Sequence, residues 1–406
     1  MGVNMITNET FRRSVGKSGR RRATTLNQKR RGSALVLSVF LIATLLMVAA
    51  VAIDFGHINV SRSEVKRTAD AAAMAACWEL FDGVVAGTPA LEQRPLIATA
   101  ADDIAGLNLV SSRSPSLNKD DDIEIGYYTT REPGVLSPAG SLEPNAVRVH
   151  LRQTDAVNSA IPLFFGAVTG RHQQSLETHS TAAMFKAVAG FHVPDEEGEC
   201  LDILPITLDL ATWEKVCAKQ TEDKLSWDPQ ANEGRGGVVN KGDGFCECSL
   251  YPEPTDDAAG NRGTVDIGGG ANSTTDISRQ IMTGISAADM AAFQAEGGTL
   301  EFDSNGECVL NGDTGISAAI KDELHSIVGQ TRIIPIFKEV GGNGDNAQFT
   351  IVAWEGVRIL GVKLTGPMHK KHLTIQPARM VAKHAIYSED EFAETDFLYT
   401  PVMLVD

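Results

Sequence analysis

The chain has 406 residues with a formal net charge of −16, and 43% of its residues are hydrophobic. This length allows two domains, and the acidic charge argues against nucleic acid as a partner, because binding a phosphate backbone needs a positive surface. Aromatic residues make up only 6% and there are 38 glycines, which indicates a loop-rich body that contains β-structure.

The charge is distributed unevenly. Residues 1–33 hold nine basic residues and one acid, a charge of +8, so the remainder carries −24. Basic residues next to a membrane span stay in the cytoplasm. We therefore predict that 1–33 is a basic cytoplasmic tail and that the large acidic C-terminal body lies outside the cytoplasmic membrane.

An apolar segment follows this tail. Ala34 to Ile53 is a run of 20 residues without charge, proline or glycine. A helix of this length crosses about 30 Å of hydrocarbon, and the lack of water there requires its backbone to bond internally. We predict a retained single transmembrane helix over 34–53. The alternative is a cleaved secretory signal with its site near Ala49–Ala52, although 20 residues exceed the usual apolar core of about 7–15.

The segment Asp54–Gly83 continues the helical pattern. It contains no proline and is rich in alanine, the strongest helix former. Its apolar positions recur at helical spacing: Ile58, Val65, Ala69, Ala72 and Ala76. We expect the membrane helix to continue to about Phe81 and its small side chains to pack closely against a partner helix or the protein's own body. The alternative is a solvated stalk.

Coarser patterns describe the rest of the chain. Leu91 to Leu107 reads as a helix, and residues 222–272 read mostly as loop. Alternating segments predict strands at Asp122–Thr129, Asn145–Arg152, Ser175–Phe185, Arg332–Phe337, Phe349–Trp354, Val357–Leu364 and His372–Gln376. Short helices are predicted at Asp276–Met282, Ala287–Gln294 and Ala318–Ile327.

These elements predict an α+β fold. A single transmembrane helix extends into a long helix and is followed by a mixed, largely antiparallel β ectodomain. An acidic break after Gly190 divides this part into a membrane-proximal α+β region, 54–190, and a cysteine-containing β-rich region, 191–406.

All six cysteines follow the span. Cys77 lies in the predicted helix, and the other five are Cys200, Cys217, Cys246, Cys248 and Cys308. An oxidising compartment outside the membrane favours disulfides, which we predict among these five. Zinc is the alternative, but the C-x-C spacing of two of them differs from the C-x-x-C of a zinc ribbon.

Other motifs could indicate an enzyme or a metal site. Gly268–Gly270 lacks the Lys-Ser/Thr of a phosphate-binding loop and reads as a turn. The late histidines His369, His372 and His384 could bind a metal. Positions three apart on a strand point to opposite faces, so one strand would not present both His369 and His372. We predict no cofactor and no metal site in these motifs.

A calcium-loop pattern is incomplete. Asp303–Gly306 resembles the opening of an EF-hand loop, but Thr314 stands at its twelfth position, where a bidentate acid is required. An incidental Ca²⁺ site in the acidic body stays open at this point. The sequence contains no Gly-x-Ser-x-Gly elbow and no His-Glu-x-x-His motif.

Three short motifs occur in a specific order around the span. They are Arg30-Arg31-Gly32, Asp54-Phe55-Gly56 and the Ala-rich element Ala69–Ala76. Together they resemble the N-terminal region of the TadE/TadG-like Flp pilus-assembly proteins. A weaker resemblance extends to about residue 186 through Asn145–Val149, Ile161–Gly166 and Thr181–Met184.

The resemblance implies a non-enzymatic, single-pass protein of the bacterial cytoplasmic membrane, with a periplasmic or extracellular body. Its implied partners are the membrane and other pilus-assembly or envelope proteins, with an oligomer formed through the long helix. Processing by a prepilin peptidase is not indicated, because Leu37 stands at the fifth position after Gly32 and the span has no acid. The metal site of a von Willebrand A domain, present in some TadG-like proteins, has no counterpart here.

The predicted site is therefore structural. It comprises Ala34, Ile53, Asp54, Gly56, Asp70, Ala72 and Ala73. Asp54 is expected at the membrane edge, where it caps the span, and Asp70 either pairs with a partner residue or lies on a solvated face. Two other functions remain open: an adhesion module that acts without a pilus, and an enzyme on a membrane tether.

Overall fold

The computed structural model describes residues 31–140, 142–196, 198–250, 261–269, 273–342, 346–367 and 370–405. Most of the basic tail, Gly270 and His369 lie outside these residues. The chain divides into two compact units. The N-terminal unit comprises Met1–Ile58 and Pro162–Gln173, and the body comprises Asn59–Ile161 and Gln174–Asp406.

The α-helices are dominated by one long helix at the N-terminus. In chain order they are α1 Arg31–Ala86, α2 Ala90–Leu107, α3 Gly166–Thr169, α4 Leu210–Cys217, α5 Ala231–Gly234, α6 Thr274–Thr283, α7 Ala287–Ala295 and α8 Lys321–Ser326. Short 3₁₀ turns cover Ala318–Ile320 and Glu391–Ala393. Helix α1 confirms the predicted continuation of the apolar helix, and it ends before Gly87, which adopts a φ of 72°.

The strands are mostly short. They are β1 Ile123–Tyr128, β2 Leu136–Pro138, β3 Ala146–Gln153, β4 Ile161–Pro162, β5 Gln173–Gln174, β6 Leu176–Ala183, β7 Val188–Phe191, β8 Cys200–Leu201, β9 Ile206–Asp209, β10 Ser226–Asp228, β11 Gly237–Val239, β12 Cys248–Ser249, β13 Arg262–Val265, β14 Ile285–Ser286, β15 Cys308–Asp313, β16 Thr331–Gly341, β17 Ala347–Lys363, β18 His372–Pro377, β19 Met380–Val381, β20 Ala385–Tyr387, β21 Leu398–Tyr399 and β22 Met403–Leu404.

A five-stranded antiparallel sheet forms the first part of the body. Its strand order is β2-β1-β3-β6-β22. Strand β3 pairs with β6 over eight residue pairs, from Ala146 opposite Ala183 to Gln153 opposite Leu176. Alternate residues of β3 are buried, as its sequence pattern predicts. The sheet also includes the C-terminal strand β22, so both ends of the body chain contribute to it.

A seven-stranded sheet forms the second part, with the order β12-β18-β17-β15-β13-β9-β16. Strand β16 also pairs with β17, so β17, β15, β13, β9 and β16 close into a ring. Most of these pairings are antiparallel, and β16 with β9 is parallel. The predicted α+β class, with a largely antiparallel body after a long apolar helix, is therefore confirmed.

Strand β17 was predicted as two strands, which is wrong. It is one strand of 17 residues. Gly356 lies inside the strand, where an added Cβ would collide with the backbone carbonyl of Ala378. The glycine therefore permits a close backbone approach rather than a turn.

The sequence also left two local features unpredicted. Helix α4 was not anticipated, although Asp209 caps it by accepting a hydrogen bond from the Thr212 amide at 3.1 Å. The segment predicted as loop, 222–272, contains the short strands β10 to β13. These strands have two to four residues each, too few for a periodic pattern to identify.

The structure does not support the predicted disulfides. All six cysteines are free. Cys308 is buried in the core cluster around Trp354, whereas Cys246 and Cys248 are buried in a second cluster with Trp213. These thiols behave as small apolar side chains, and burial raises the pKa of Cys248 to about 12. Cys200 is half-buried, and Cys217 is half-buried with its thiol directed at the Asp396 carboxylate.

The predicted division near Gly190 stays a prediction. Strand β22 pairs with β6, which precedes Gly190, and β20 pairs with β7, which contains Gly190, so the last segment of the chain contacts strands at and before that position.

Glu355 in β17 generates a prediction about pH. This buried carboxylate accepts hydrogen bonds from the amides of Asp396 at 2.8 Å and Phe397 at 3.0 Å. Burial raises its pKa from 4.5 to about 8. Because the folded state holds this proton more tightly than the unfolded chain, the resulting stabilisation is complete below about pH 4.5 and is lost as the pH rises through about 8.

We therefore expect thermal unfolding of the full chain to shift to lower temperature between about pH 5.5 and about pH 8.5, with a smaller shift in Glu355→Gln, which cannot titrate. The two proteins are compared by circular dichroism in the same detergent. An identical pH dependence in both would show that another group is responsible.

Candidate membrane and helix-packing site

The first part of α1 exposes its apolar side chains. Across Ala34–Ile53 every residue is exposed except Ala50; Leu37, for example, is 71% exposed and Phe40 is 69% exposed. Among the described residues, α1 is the helix that is long and apolar enough to cross a membrane. A helix that is apolar all round is stable when surrounded by lipid or protein rather than by water.

The few polar side chains in this stretch bond to their own helix. Ser38 Oγ donates to the carbonyl of Ala34 at 2.8 Å, and Thr44 Oγ1 donates to the carbonyl of Phe40 at 2.8 Å. These bonds leave no unsatisfied hydroxyl donor, which hydrocarbon surroundings require.

Asp54 follows the apolar stretch directly and is buried. Its Oδ1 accepts the amide of Phe164 at 2.8 Å and that of Phe165 at 3.1 Å, and Oδ2 also accepts the amide of Phe165 at 3.1 Å. The His57 and Phe164 rings pack with their centroids 4.8 Å apart. The carboxylate of Asp54 therefore binds a loop that is distant in sequence but lies in the same unit, and the capping of the span by Asp54 stays a prediction.

Gly56 lies on α1 between Asp54 and His57. An added Cβ at this position would meet no described atom within 4 Å. The predicted packing role of Gly56 stays a prediction.

The part of α1 in the body has the opposite character. Its fully buried face includes two adjacent alanines of the predicted site, Ala72 and Ala73, both 0% exposed. The other residues of this face are Val65, Ala69, Ala76, Cys77, Leu80, Phe81 and Val84. Small side chains let the helix backbone approach its neighbours closely. In the structure, these residues pack within the protein's own body.

Polar contacts tie this part of α1 to several segments of the body. Ser61 Oγ lies 2.9 Å from Ser111 Oγ, and the Thr68 hydroxyl donates to the carbonyl of Asn108. At the end of the helix, Arg379 donates to the carbonyl of Val84 at 2.6 Å. A cation at this position satisfies a terminal carbonyl and complements the helix dipole.

Asp70 pairs with a lysine one turn away and with a strand. Lys66 Nζ lies 3.1 Å from the Asp70 carboxylate, and Ser180 Oγ of β6 donates to the same carboxylate. Lys66 also donates to Ser180 Oγ at 2.9 Å and to the His179 carbonyl at 3.1 Å. The sequence left two alternatives open for Asp70, pairing with a partner residue or lying on a solvated face. In the structure its partners lie within the body.

The Lys66–Ser180 contact has the residue types of a serine–lysine hydrolase pair. Ser180 is 0% exposed, so a substrate carbonyl has no access to its oxygen. The Ser180 hydroxyl donates its hydrogen bond to Asp70 and not to the lysine. Lys66 is itself paired with the same carboxylate. This arrangement connects a helix to a strand and lacks an exposed nucleophile.

The motifs that could hold a ligand have structural partners. Asp303 accepts the amides of Asn305 at 2.8 Å and Glu307 at 3.1 Å, so its carboxylate stabilises its own turn. Gly269 packs closely on Ala292 of α7, which gives the glycine a packing role. His384 Nε2 contacts Glu199 at 2.9 Å. Within the described ranges, no group of three His, Cys, Asp or Glu could hold a metal ion.

A cavity of about 340 Å³ lies in the body beside the end of α1. Two of its polar residues are paired: Lys186 Nζ lies 2.8 Å from Glu143 and 5.3 Å from the centre of the Tyr399 ring. The Tyr387 hydroxyl is 2.8 Å from Thr130 Oγ1. The cavity is thus lined by an ion pair and by aromatic side chains. These groups do not form a nucleophile–base pair.

The geometry of α1 coincides with a sequence match. Residues 32–88 match the family model for putative Flp pilus-assembly TadE/G-like proteins. This match confirms the resemblance over the apolar stretch and the small-residue face of α1. No curated protein shows significant similarity to the chain. No solved structure does either.

The buried alanines generate a prediction about stability. Replacing Ala72 by Leu adds three carbons at a position that is 0% exposed, and overfilling a closely packed site typically costs about 1–3 kcal/mol. Helix propensity changes little, because leucine is also a good helix former. We expect Ala72→Leu to lower the unfolding free energy of the full chain in detergent by that amount.

Ala75→Leu is the matched control, because Ala75 lies on the same helix and is only partly buried. It should leave stability nearly unchanged. Equal unfolding temperatures for the two variants would contradict close packing at Ala72.

Proposed function

We propose that this protein is a membrane-anchored pilus-assembly protein that acts through protein–protein contacts outside the cytoplasmic membrane and catalyses no reaction. The observation that carries the proposal is the match over residues 32–88, which falls on a helix with two distinct parts. One part exposes large apolar side chains, and the other buries a face of small ones. This is the architecture that a lipid anchor joined to a folded body requires.

The proposed orientation places the N-terminus in the cytoplasm. It rests on the nine basic residues against one acid in residues 1–33 and on the acidic remainder of the chain. A retained span with this flank keeps its basic side inside, so the body is periplasmic or extracellular.

Lateral contacts through α1 are then limited to the surface that the body leaves uncovered. The alanine face at 69–76 is buried within the body, so it is not available to another subunit. The exposed stretch Ala34–Ile53 is available, and it contains Ala43, Ala49 and Ala52, whose small side chains suit helix pairing in lipid. We propose this stretch as the surface for oligomerisation or for contact with other assembly proteins.

A deletion experiment tests the function. Cells that lack the chain should lose pilus filaments in electron micrographs, and the wild-type chain supplied in trans should restore them. A chain with Leu37, Phe40 and Leu41 replaced by Ser, which weakens the span, should fail to restore them at matched expression. Normal filaments combined with lost surface attachment would instead identify an adhesion module that works without a pilus.

The orientation has its own test. Protease added to spheroplasts should digest the acidic body and leave a small fragment that contains the basic tail and the span, because lipid and the inner face protect these residues. Permeabilised spheroplasts provide the control in which the tail is also digested. Protection of the whole body in intact spheroplasts would overturn the proposed orientation.

A further inference from the structure

We propose that a second element of the N-terminal unit contacts the membrane: an apolar loop, Leu163–Val168, that inserts into the headgroup region of the bilayer crossed by α1. This proposal rests on the proposed membrane span. The observation behind it is an exposed apolar surface, since Phe164 is 70% exposed, Phe165 is 40% exposed and Val168 is 47% exposed. Adjacent aromatic side chains of this size are not normally left in water.

The loop is held at the end of the apolar stretch of α1. The Asp54 carboxylate binds the amides of Phe164 and Phe165, and His57 packs on the Phe164 ring. Asp54 follows Ile53 directly and so lies about 1.5 Å further along the helix axis. The loop is therefore fixed at the level where the hydrocarbon ends and the headgroups begin.

Its backbone is held in shape by local contacts. The amide of Leu163 donates to the carbonyl of His172 at 2.9 Å, and that of Arg171 donates to the carbonyl of Gly166 at 3.0 Å. Gly166 is required because a Cβ would collide with the Arg171 carbonyl, and Gly170 closes the turn with a φ of 73°. The exposed phenylalanines are thus presented by a formed loop.

The chemistry of the loop selects lipid as its occupant. Residues 162–170 contain no charged side chain, and Arg171 is the first one after them. Arg171 is exposed, so its guanidinium can reach lipid phosphates while the preceding residues contact acyl chains. Phe55 of α1, next to Asp54, is also exposed, and it continues the exposed apolar stretch Ala34–Ile53 along the chain.

Photocrosslinking tests the proposal with the full chain in vesicles of phosphatidylethanolamine and phosphatidylglycerol. The photoreactive residue p-benzoylphenylalanine replaces Phe164 or Phe165, and adducts are identified by mass spectrometry. The same residue in place of Phe40 is the positive control within the span. In place of Val309, an exposed residue of the body, it is the negative control. We expect lipid adducts at positions 164, 165 and 40, and none at 309.

The outcomes separate this proposal from the proposed function. Lipid adducts at position 40 without any at 164 and 165, or adducts there to protein instead, would overturn the second membrane contact alone. Lipid adducts at 309 equal to those at 164 would overturn its specificity. The absence of lipid adducts at position 40 would overturn the membrane span and this proposal together.

A second measurement concerns Asp54 as the positioning residue. Asp54→Ala removes the acceptor for the Phe164 and Phe165 amides, so lipid adducts at position 164 should be lost while those at position 40 persist. Asp82→Ala, an exposed acid on the same helix, is the matched control and should retain both. Undiminished adducts at 164 in Asp54→Ala would contradict the role of Asp54.

Discussion

The size limit on the buried face of α1 is the constraint on which the body depends. Helix and body approach each other closely because the buried positions between Val65 and Cys77 on that face carry small side chains, four alanines and Thr68. Larger residues frame the face at its end, where Leu80 and Phe81 are buried and the Phe81 ring packs on Tyr399 with centroids 5.3 Å apart. An Ala-rich helix in isolation has propensity but little hydrophobic area, so its position must come from such packing.

Polar contacts add direction to this packing. Alanine faces are smooth, and they define the rotation and register of a helix less well than large interlocking side chains. Two sets of polar contacts each require a specific residue at a specific position along α1. One joins Lys66 and Asp70 to Ser180 of β6, and the other joins Arg379 to the end of α1. The ion pair is partly exposed and so contributes little stability by itself. Its value lies in specifying one arrangement, while the alanines permit that arrangement.

Much of the fold could be predicted because its signals are local. The 20 apolar residues, the alanine spacing and the alternating segments identified α1 and strands β1, β3 and β6 of the first sheet. The continuity of β17 across Gly356 could not be predicted, because a glycine for close backbone approach and a glycine for a turn look the same in sequence. The cysteines misled because compartment and an even count favour disulfides, whereas pairing requires proximity, and Cys308 and Cys248 lie in separate core clusters.

The partners of the two acids could not be predicted for a related reason. Asp54 bonds to Phe164 and Asp70 bonds to Ser180, and each pair is separated by 110 residues. The periodicity of a short sequence window does not reveal such contacts, because they depend on how a distant part of the chain returns to α1. Both partners nevertheless lie in one continuous segment, residues 162–183, in which the apolar loop leads into β6.

These contacts of the two acids have a physical consequence for the sequence of α1. Each acid accepts hydrogen bonds in its own unit from this one segment, so an apolar replacement at either position would leave donors unpaired. The motifs Asp54-Phe55-Gly56 and Ala69-Asp70-Ala71 therefore combine two requirements. Their small and apolar residues suit a membrane-spanning and closely packed helix, and their acids hold the returning chain.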